Sequence, residues 1–330
     1  MKKILNHLFE HKTLIREQAK EVLLNISKNV YNESEMAAFI TVYLMRSITI
    51  EELQGFRDAL LELCVRVDLN GQEVIDIVGT GGDGKNTFNI STLSCFIVAG
   101  TGTKVAKHGN YGASSISGSS NVMAQLGYQF KNNQDALQKE IDKANICFMH
   151  APMFHPALKA VGPIRKNLGV RTFFNMLGPM VNPAFPKFQL VGVYNLEMAR
   201  IYNYLLQQSS NKFTIIHSLD GYDEISLTGD TKVITNEGEK IVTAETLGKR
   251  TVSAEDIYGG NTVEEAAIIF LKILKGGGSW AQNAVVLANS AMALQCTGQY
   301  KNYEECYHAA VESLESGKAI DCLQKLISLQ

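Results

Sequence analysis

Val78-Gly79-Thr80-Gly81-Gly82-Asp83-Gly84-Lys85-Asn86-Thr87-Phe88-Asn89-Ile90-Ser91-Thr92 is the stretch on which the reading of this chain turns. It follows the β-branched run Val74-Ile75-Asp76-Ile77-Val78 and leads into a helical pattern near residues 90–100. A strand, a glycine loop and a helix in that order present unsaturated backbone N–H groups at a helix N-terminus, where the dipole also favours an anion. Glycine permits positive φ and a close approach of backbone to phosphate oxygens. Four glycines within residues 79–84 therefore read as a ligand loop rather than a bare turn.

Two familiar phosphate motifs nearly fit. Gly79-x-Gly81-x-x-Gly84 matches the dinucleotide fingerprint, which also requires an acidic residue about 20 positions on, at the end of the next strand. The chain instead has Lys104-Val105-Ala106-Lys107-His108, and the nicotinamide reading fails there. Gly79-x₄-Gly84-Lys85 mimics a P-loop, but Asn86 stands where Ser or Thr must meet Mg²⁺, and Asp83 would repel a triphosphate. A ligand bearing hydroxyls as well as phosphates suits the loop better. Asp83 can accept from ribose hydroxyls, while Asn89, Ser91 and Thr92 can meet diphosphate oxygens or a metal.

Outward from the loop, residues 74–78, 103–107, 145–149, 188–194 and 212–218 read as strands. Helical patterns near 90–100, 119–127, 134–144, 154–168 and 196–208 alternate with them. Such alternation predicts an α/β fold with a mainly parallel sheet flanked by helices. The first 70 residues carry helical signals only. Ile15, Ala19, Val22, Leu23 and Ile26 form one apolar stripe, and Asn32–Glu35 and Thr49–Glu52 are capping boxes. The expected organisation is a small N-terminal helical domain over 1–70 and a large α/β domain over 71–330, helical again from 263 onward.

The 330 residues are 45% hydrophobic and 19% charged, with a net charge of −2, which argues against bulk binding to nucleic acid or anionic membrane. No stretch approaches the roughly 20 apolar residues of a membrane span, and no signal peptide is legible. Six scattered cysteines without a C-x-x-C pair read as free thiols of a cytoplasmic protein.

Other constellations are open on their own evidence. Lys107-His108-Gly109-Asn110, after a strand and before the Gly/Ser-rich stretch 112–120, is either a phosphate edge or a solvated basic loop. Asp223-Glu224 beyond the strand 212–218 is an acidic turn, or a pair whose repulsion a hard cation relieves. Arg165 is a surface charge or a bidentate partner for a carboxylate. His150 and His155 lack partners at metal-ligand spacing, and no G-x-S-x-G or Cys–His nucleophile pattern is present.

Taken together, Gly79-Thr80-Gly81-Gly82-Asp83, Asn89-Ile90-Ser91-Thr92, Lys107–Ser115, Gly118–Val122, Met153–Ala157, Pro163-Ile164-Arg165, Arg171–Pro179 and Gly221–Glu224 resemble the anthranilate phosphoribosyltransferase family. They fall in family order at family spacing over nearly the whole chain. The resemblance implies transfer of the phosphoribosyl group of 5-phosphoribosyl 1-diphosphate (PRPP) to anthranilate in tryptophan biosynthesis. PRPP would be held by Gly79, Gly82, Asp83, Thr87, Asn89, Ile90, Ser91, Thr92, Lys107, His108, Gly109, Asn110, Tyr111, Gly112, Ala113, Ser114, Ser115 and Ser119. Anthranilate would meet Gly79, Asn110 and Arg165, and Mg²⁺ (two ions per monomer) would meet Ser91, Asp223 and Glu224. Tyr111 departs from the family, where many members carry Arg. A homodimer is implied, and helices of about 155–182 are expected to join the helical domain. The rivals are a pyrimidine nucleoside phosphorylase, a noncatalytic nucleic-acid-binding relative and a regulatory PRPP-binding domain.

Overall fold

A computed structural model describes residues 1–112 and 115–330. It contains two compact units, one of residues 1–67 with 151–183 and one of residues 68–150 with 184–330.

The helical unit opens with helices Lys2–Phe9, Arg16–Ser27, Glu33–Met45 and Ile50–Leu63. Both capping boxes start helices: Asn32 accepts from Glu35 N–H and Thr49 from Glu52 N–H. The apolar stripe of Arg16–Ser27 buries Ala19, Val22, Leu23 and Ile26. Gly55 lets Ile50–Leu63 close on it, since a Cβ there would stand 2.2 Å from Arg16 O. Phe39, Tyr43, Phe56 and Phe173 pack edge-on and stacked within 4.6–6.3 Å, so the later segment shares this core.

The α/β unit is built on strands β1 (Ile75–Gly79), β2 (Val105–Gly109), β3 (Ile146–His150), β4 (Phe188–Gly192), β5 (Lys212–Ser218), β6 (Thr231–Thr235) and β7 (Gly238–Val242). They form one sheet in the order β3-β2-β1-β4-β5-β6-β7. The first five strands pair in parallel, and β6 and β7 add an antiparallel hairpin. That hairpin is an addition to the strands read from sequence. Four of the five residues of β7 are exposed, as suits an edge strand.

Helices flank the sheet. Ile90–Gly100 is apolar nearly all round, and nine of its eleven residues are buried. Trp280–Thr297 likewise buries an unbroken run from Ala284 to Leu294. The two helices pack on each other, and Phe96, Phe270, Val285 and Leu294 belong to the same core. All six cysteines are free, five buried and Cys64 half-buried. No described helix is long and apolar enough to cross a membrane.

Candidate active site

Gly79 ends β1 and pairs with Gly192 at the end of β4. Chain order reverses at this pair, because β2 and β3 lie on one side of β1 while β4 and β5 lie on the other. In open α/β sheets the crevice beyond the strand ends at such a switch point is where ligands bind.

The loop after β5 brings Asp223 and Glu224 into that crevice. A Cβ on Gly192 would stand 1.5 Å from Asp223 O, and one on Gly79 would stand 2.4 Å from Asp223 Oδ2. Two glycines on adjacent strands thus make room for the acidic loop. Gly81, Gly82 and Gly84 have φ of 63°, 82° and 73°, a region that disfavours side chains. The turn they make lets Gly81 N–H donate to Asp223 Oδ2 at 2.7 Å. Ser91 N–H, in the first turn of Ile90–Gly100, donates to Glu224 Oε1 at 3.1 Å, and the Thr87 hydroxyl to Oε2 at 3.4 Å.

The electrostatics follow from this crowding. Burial, then the charge of Asp83, push the Asp223 carboxyl up to about 7. Burial, then Asp223 and Asp83, push Glu224 well above the usual carboxylate range. Such a group of carboxylates is relieved by a cation. Among the described residues, no three His, Cys, Asp or Glu side chains form a ready-made cage. Mg²⁺ characteristically takes one or two carboxylates and completes its shell with waters and substrate phosphates, so this donor set fits an ion that arrives with a diphosphate.

The acidic loop is held from behind. The Ser218 hydroxyl donates to Glu224 O at 2.6 Å. Asn289, buried in Trp280–Thr297, accepts from Ile225 N–H at 3.0 Å and donates to Ile225 O at 2.9 Å. Lys85 extends over the Tyr222 ring at 4.5 Å, while its own N–H caps Asp83 Oδ1 at 3.0 Å.

Of the basic segment, Lys107 is buried and points inward, donating to Ile77 O at 2.7 Å. Its charge lies among the strands, not on the loop surface. His108 is also buried in β2, and its N–H faces Asp76 Oδ1 at 3.4 Å. Beyond Gly109 the chain turns outward, and Asn110, Tyr111, Gly112 and Ser115 are exposed. Asn121 Oδ1 accepts from Gly112 N–H and Gly118 N–H, at 2.9 and 3.0 Å. Asn89 Nδ2 donates to Ser117 O at 2.9 Å, tying this loop to the glycine loop. Ser119 Oγ donates to Asn110 O at 3.4 Å. Ile90 and Thr92 are buried, so side-chain contact with a ligand falls to Ser91 and Asn89. Ala113 and Ser114 lie outside the described residues.

Arg165 belongs to the helical unit, in the last turn of Pro156–Leu168. Asn175 Oδ1 accepts from its Nη2 at 3.1 Å, and its guanidinium lies 5.5 Å from the Phe174 ring centre. Burial draws its pKa down, an environment in which a carboxylate partner is favoured.

Sequence reasoning missed Gly192, Ser218, Asn289 and Asn121. Gly192 ends an apolar strand run, a position where an unexplained glycine signals close backbone approach. Asn289 carries a weaker signal, a polar side chain inside an otherwise apolar helix.

The helical bundle domain of a glycosyl transferase family matches residues 2–64, and the a/b domain of the same glycosyl transferase family matches residues 71–320. Fold and site together thus define a two-domain glycosyl transferase. Over its whole length the chain is 59% identical to an anthranilate phosphoribosyltransferase of Christiangramia forsetii and covers 99% of that protein. The crystal structure of anthranilate phosphoribosyltransferase from Thermus thermophilus superposes with a TM-score of 0.90 at 29% identity, covering 98% of each chain. The enzyme from Saccharomyces cerevisiae in complex with PRPP and Mg gives 0.90 at 28% identity, covering 98% of this chain and 96% of that one. The chain belongs to the anthranilate phosphoribosyltransferase family.

Proposed function

We propose that the chain transfers the phosphoribosyl group of PRPP to the amine of anthranilate at the β1–β4 switch point, releasing diphosphate and forming N-(5-phosphoribosyl)anthranilate. The observation that carries this assignment is the buried Asp223-Glu224 pair, held against Gly81 and Ser91 amides beside two obligatory glycines. Full-length relatives favour this reaction over nucleoside phosphorolysis and over a noncatalytic binding role.

Breaking the bond between ribose C1 and diphosphate develops oxocarbenium character on the sugar and negative charge on the leaving group. Bound Mg²⁺, two ions per monomer in this reading, supplies electrostatic stabilisation of that charge. Asp223, Glu224 and Ser91 would hold the metal. Gly79, Gly82, Asp83, Thr87 and residues 89–92 cradle the sugar and its phosphates, with Gly109–Gly112, Ser115 and Ser119 meeting the diphosphate. Arg165 takes the anthranilate carboxylate, and Gly79 and Asn110 align the amine. Alignment of an amine already nucleophilic leaves no task that demands a general base.

The helical unit exposes Phe9, Val30, Leu44 and Met45, an apolar supply that supports a homodimer through this unit. A cytoplasmic location accords with a biosynthetic role and with free cysteines. The deciding experiment follows anthranilate fluorescence in the presence of PRPP and Mg²⁺. Loss of signal dependent on both is expected, whereas phosphorolysis of thymidine without anthranilate use would overturn the assignment.

A further inference from the structure

His150 ends β3, in register with Gly109 of β2. It is buried, and the transfer chemistry gives it no task. Phe130 stacks on its imidazole with ring centres 4.6 Å apart and planes 22° from parallel. Tyr111 meets the same ring edge-on at 4.8 Å. His150 Nδ1 stands 2.9 Å from Ser120 Oγ, and Ser120 N–H donates to Asn110 O at 3.1 Å. One imidazole therefore touches both ends of the loop that leaves β2: Tyr111 where it begins and Ser120 where the helix Ser119–Gln125 takes over.

That loop needs such support. Gly109, Gly112 and Gly118 are there because a Cβ would collide: with Ser119 Oγ at 2.3 Å, with Ser115 O at 2.7 Å and with Gly112 N at 2.2 Å, respectively. A glycine-rich segment loses much conformational freedom on ordering, so its bound shape must be held by neighbours. Tyr111 brings an uncharged ring, which meets His150 and Phe130 edge-on. Burial keeps the imidazole uncharged near neutrality, which suits a stack of rings over an ion pair.

We propose that His150 is a positioning residue for Tyr111 and Ser120, the two ends of the diphosphate-binding segment, bonding Ser120 and backing the Tyr111 ring. The inference rests on the assignment of Gly109–Gly112, Ser115 and Ser119 to PRPP. It is tested by steady-state kinetics of the full-length protein carrying Ser120→Ala, His150→Phe, or both. Phenylalanine keeps a ring for the stack and removes the nitrogen facing Ser120. Each single substitution is expected to raise KM for PRPP about 3- to 10-fold, the factor that one net hydrogen bond represents. KM for anthranilate, whose carboxylate falls to Arg165, is expected to rise less than KM for PRPP. The double variant should be no worse than the more affected single, because both changes remove the same bond. His150→Asn, which returns a side-chain acceptor close to the backbone, should recover part of the loss and carries the test with Ser120→Ala if the phenylalanine variant does not fold. Multiplicative effects in the double variant, an equal rise in both KM values, or lowered melting temperatures with unchanged KM for PRPP would each overturn the proposal. Failure of the unsubstituted protein to consume anthranilate would instead overturn the reaction assignment on which it rests.

Discussion

Asp223 and Glu224 stand on a backbone that only glycine neighbours allow, with amide donors on one side and Asp83 on the other. Their burial makes ionisation unfavourable without a cation, so the pair and the metal depend on each other. Replacing both, Asp223→Ala with Glu224→Ala, is expected to lower Mg²⁺-dependent turnover by at least about 100-fold, the scale of transition-state charge stabilisation by a metal. A magnesium titration of initial rate checks this, and unchanged kcat would remove the metal assignment. Arg165 is the second test at this scale. Its fork is half-buried and anchored on Asn175, so Arg165→Ala should raise KM for anthranilate about 10-fold or more and spare KM for PRPP. A rise confined to KM for PRPP would show that the guanidinium serves the other substrate.

At the level of elements, the helix Trp280–Thr297 does more than fill the core. Asn289 reaches from it to both backbone groups of Ile225, one residue past Glu224. Asn289→Ala would leave a buried N–H and C=O unpaired, and it is expected to cost about 1–3 kcal/mol of stability. Urea unfolding measures that cost, and a raised Mg²⁺ requirement in the same variant would show the acidic loop loosening. The elements themselves were largely legible. Strand, glycine loop and helix at 74–100 follow from local patterning, as do both capping boxes, because spacing and caps act over a few residues. The hairpin of β6 and β7 was missed although Thr231–Val242 holds the cue. Val233 shares a face with Thr231 and Thr235, and Asn236-Glu237 makes a two-residue turn. The exposed β7 gave no hydrophobic periodicity to notice.

For the whole molecule, each unit buries a histidine away from its charge. Burial lowers His150 in the α/β unit and His155 in the helical unit to about 4. The unfolded chain takes up those protons near its ordinary value of 6.5, while the folded chain resists until about 4. Their contribution is therefore intact above 6.5 and is lost as pH falls toward 4, on the order of 3 kcal/mol for His155 and less for His150, which solvent screens more. Asp223 acts in the opposite sense: its raised pKa favours the fold at low pH, and that benefit disappears as pH rises through about 7. Rings and carboxylates oppose each other in this window, so the test is a difference: relative to the unsubstituted metal-free protein, His155→Gln should gain in urea midpoint as pH falls from about 6.5 to about 4. A difference between the two proteins that stayed level across this interval would contradict the burial of the His155 ring. The sequence by itself determined the α/β class, the helical start, the anion-binding character of residues 78–92 and the family, because each depends on local spacing and residue chemistry. Tertiary structure alone decided that Gly192 lies beside Gly79, that Lys107 turns inward and that Asp223 reaches a Gly81 amide 142 residues away. Those contacts depend on strand order and side-chain direction in the assembled sheet, which no short window of sequence contains.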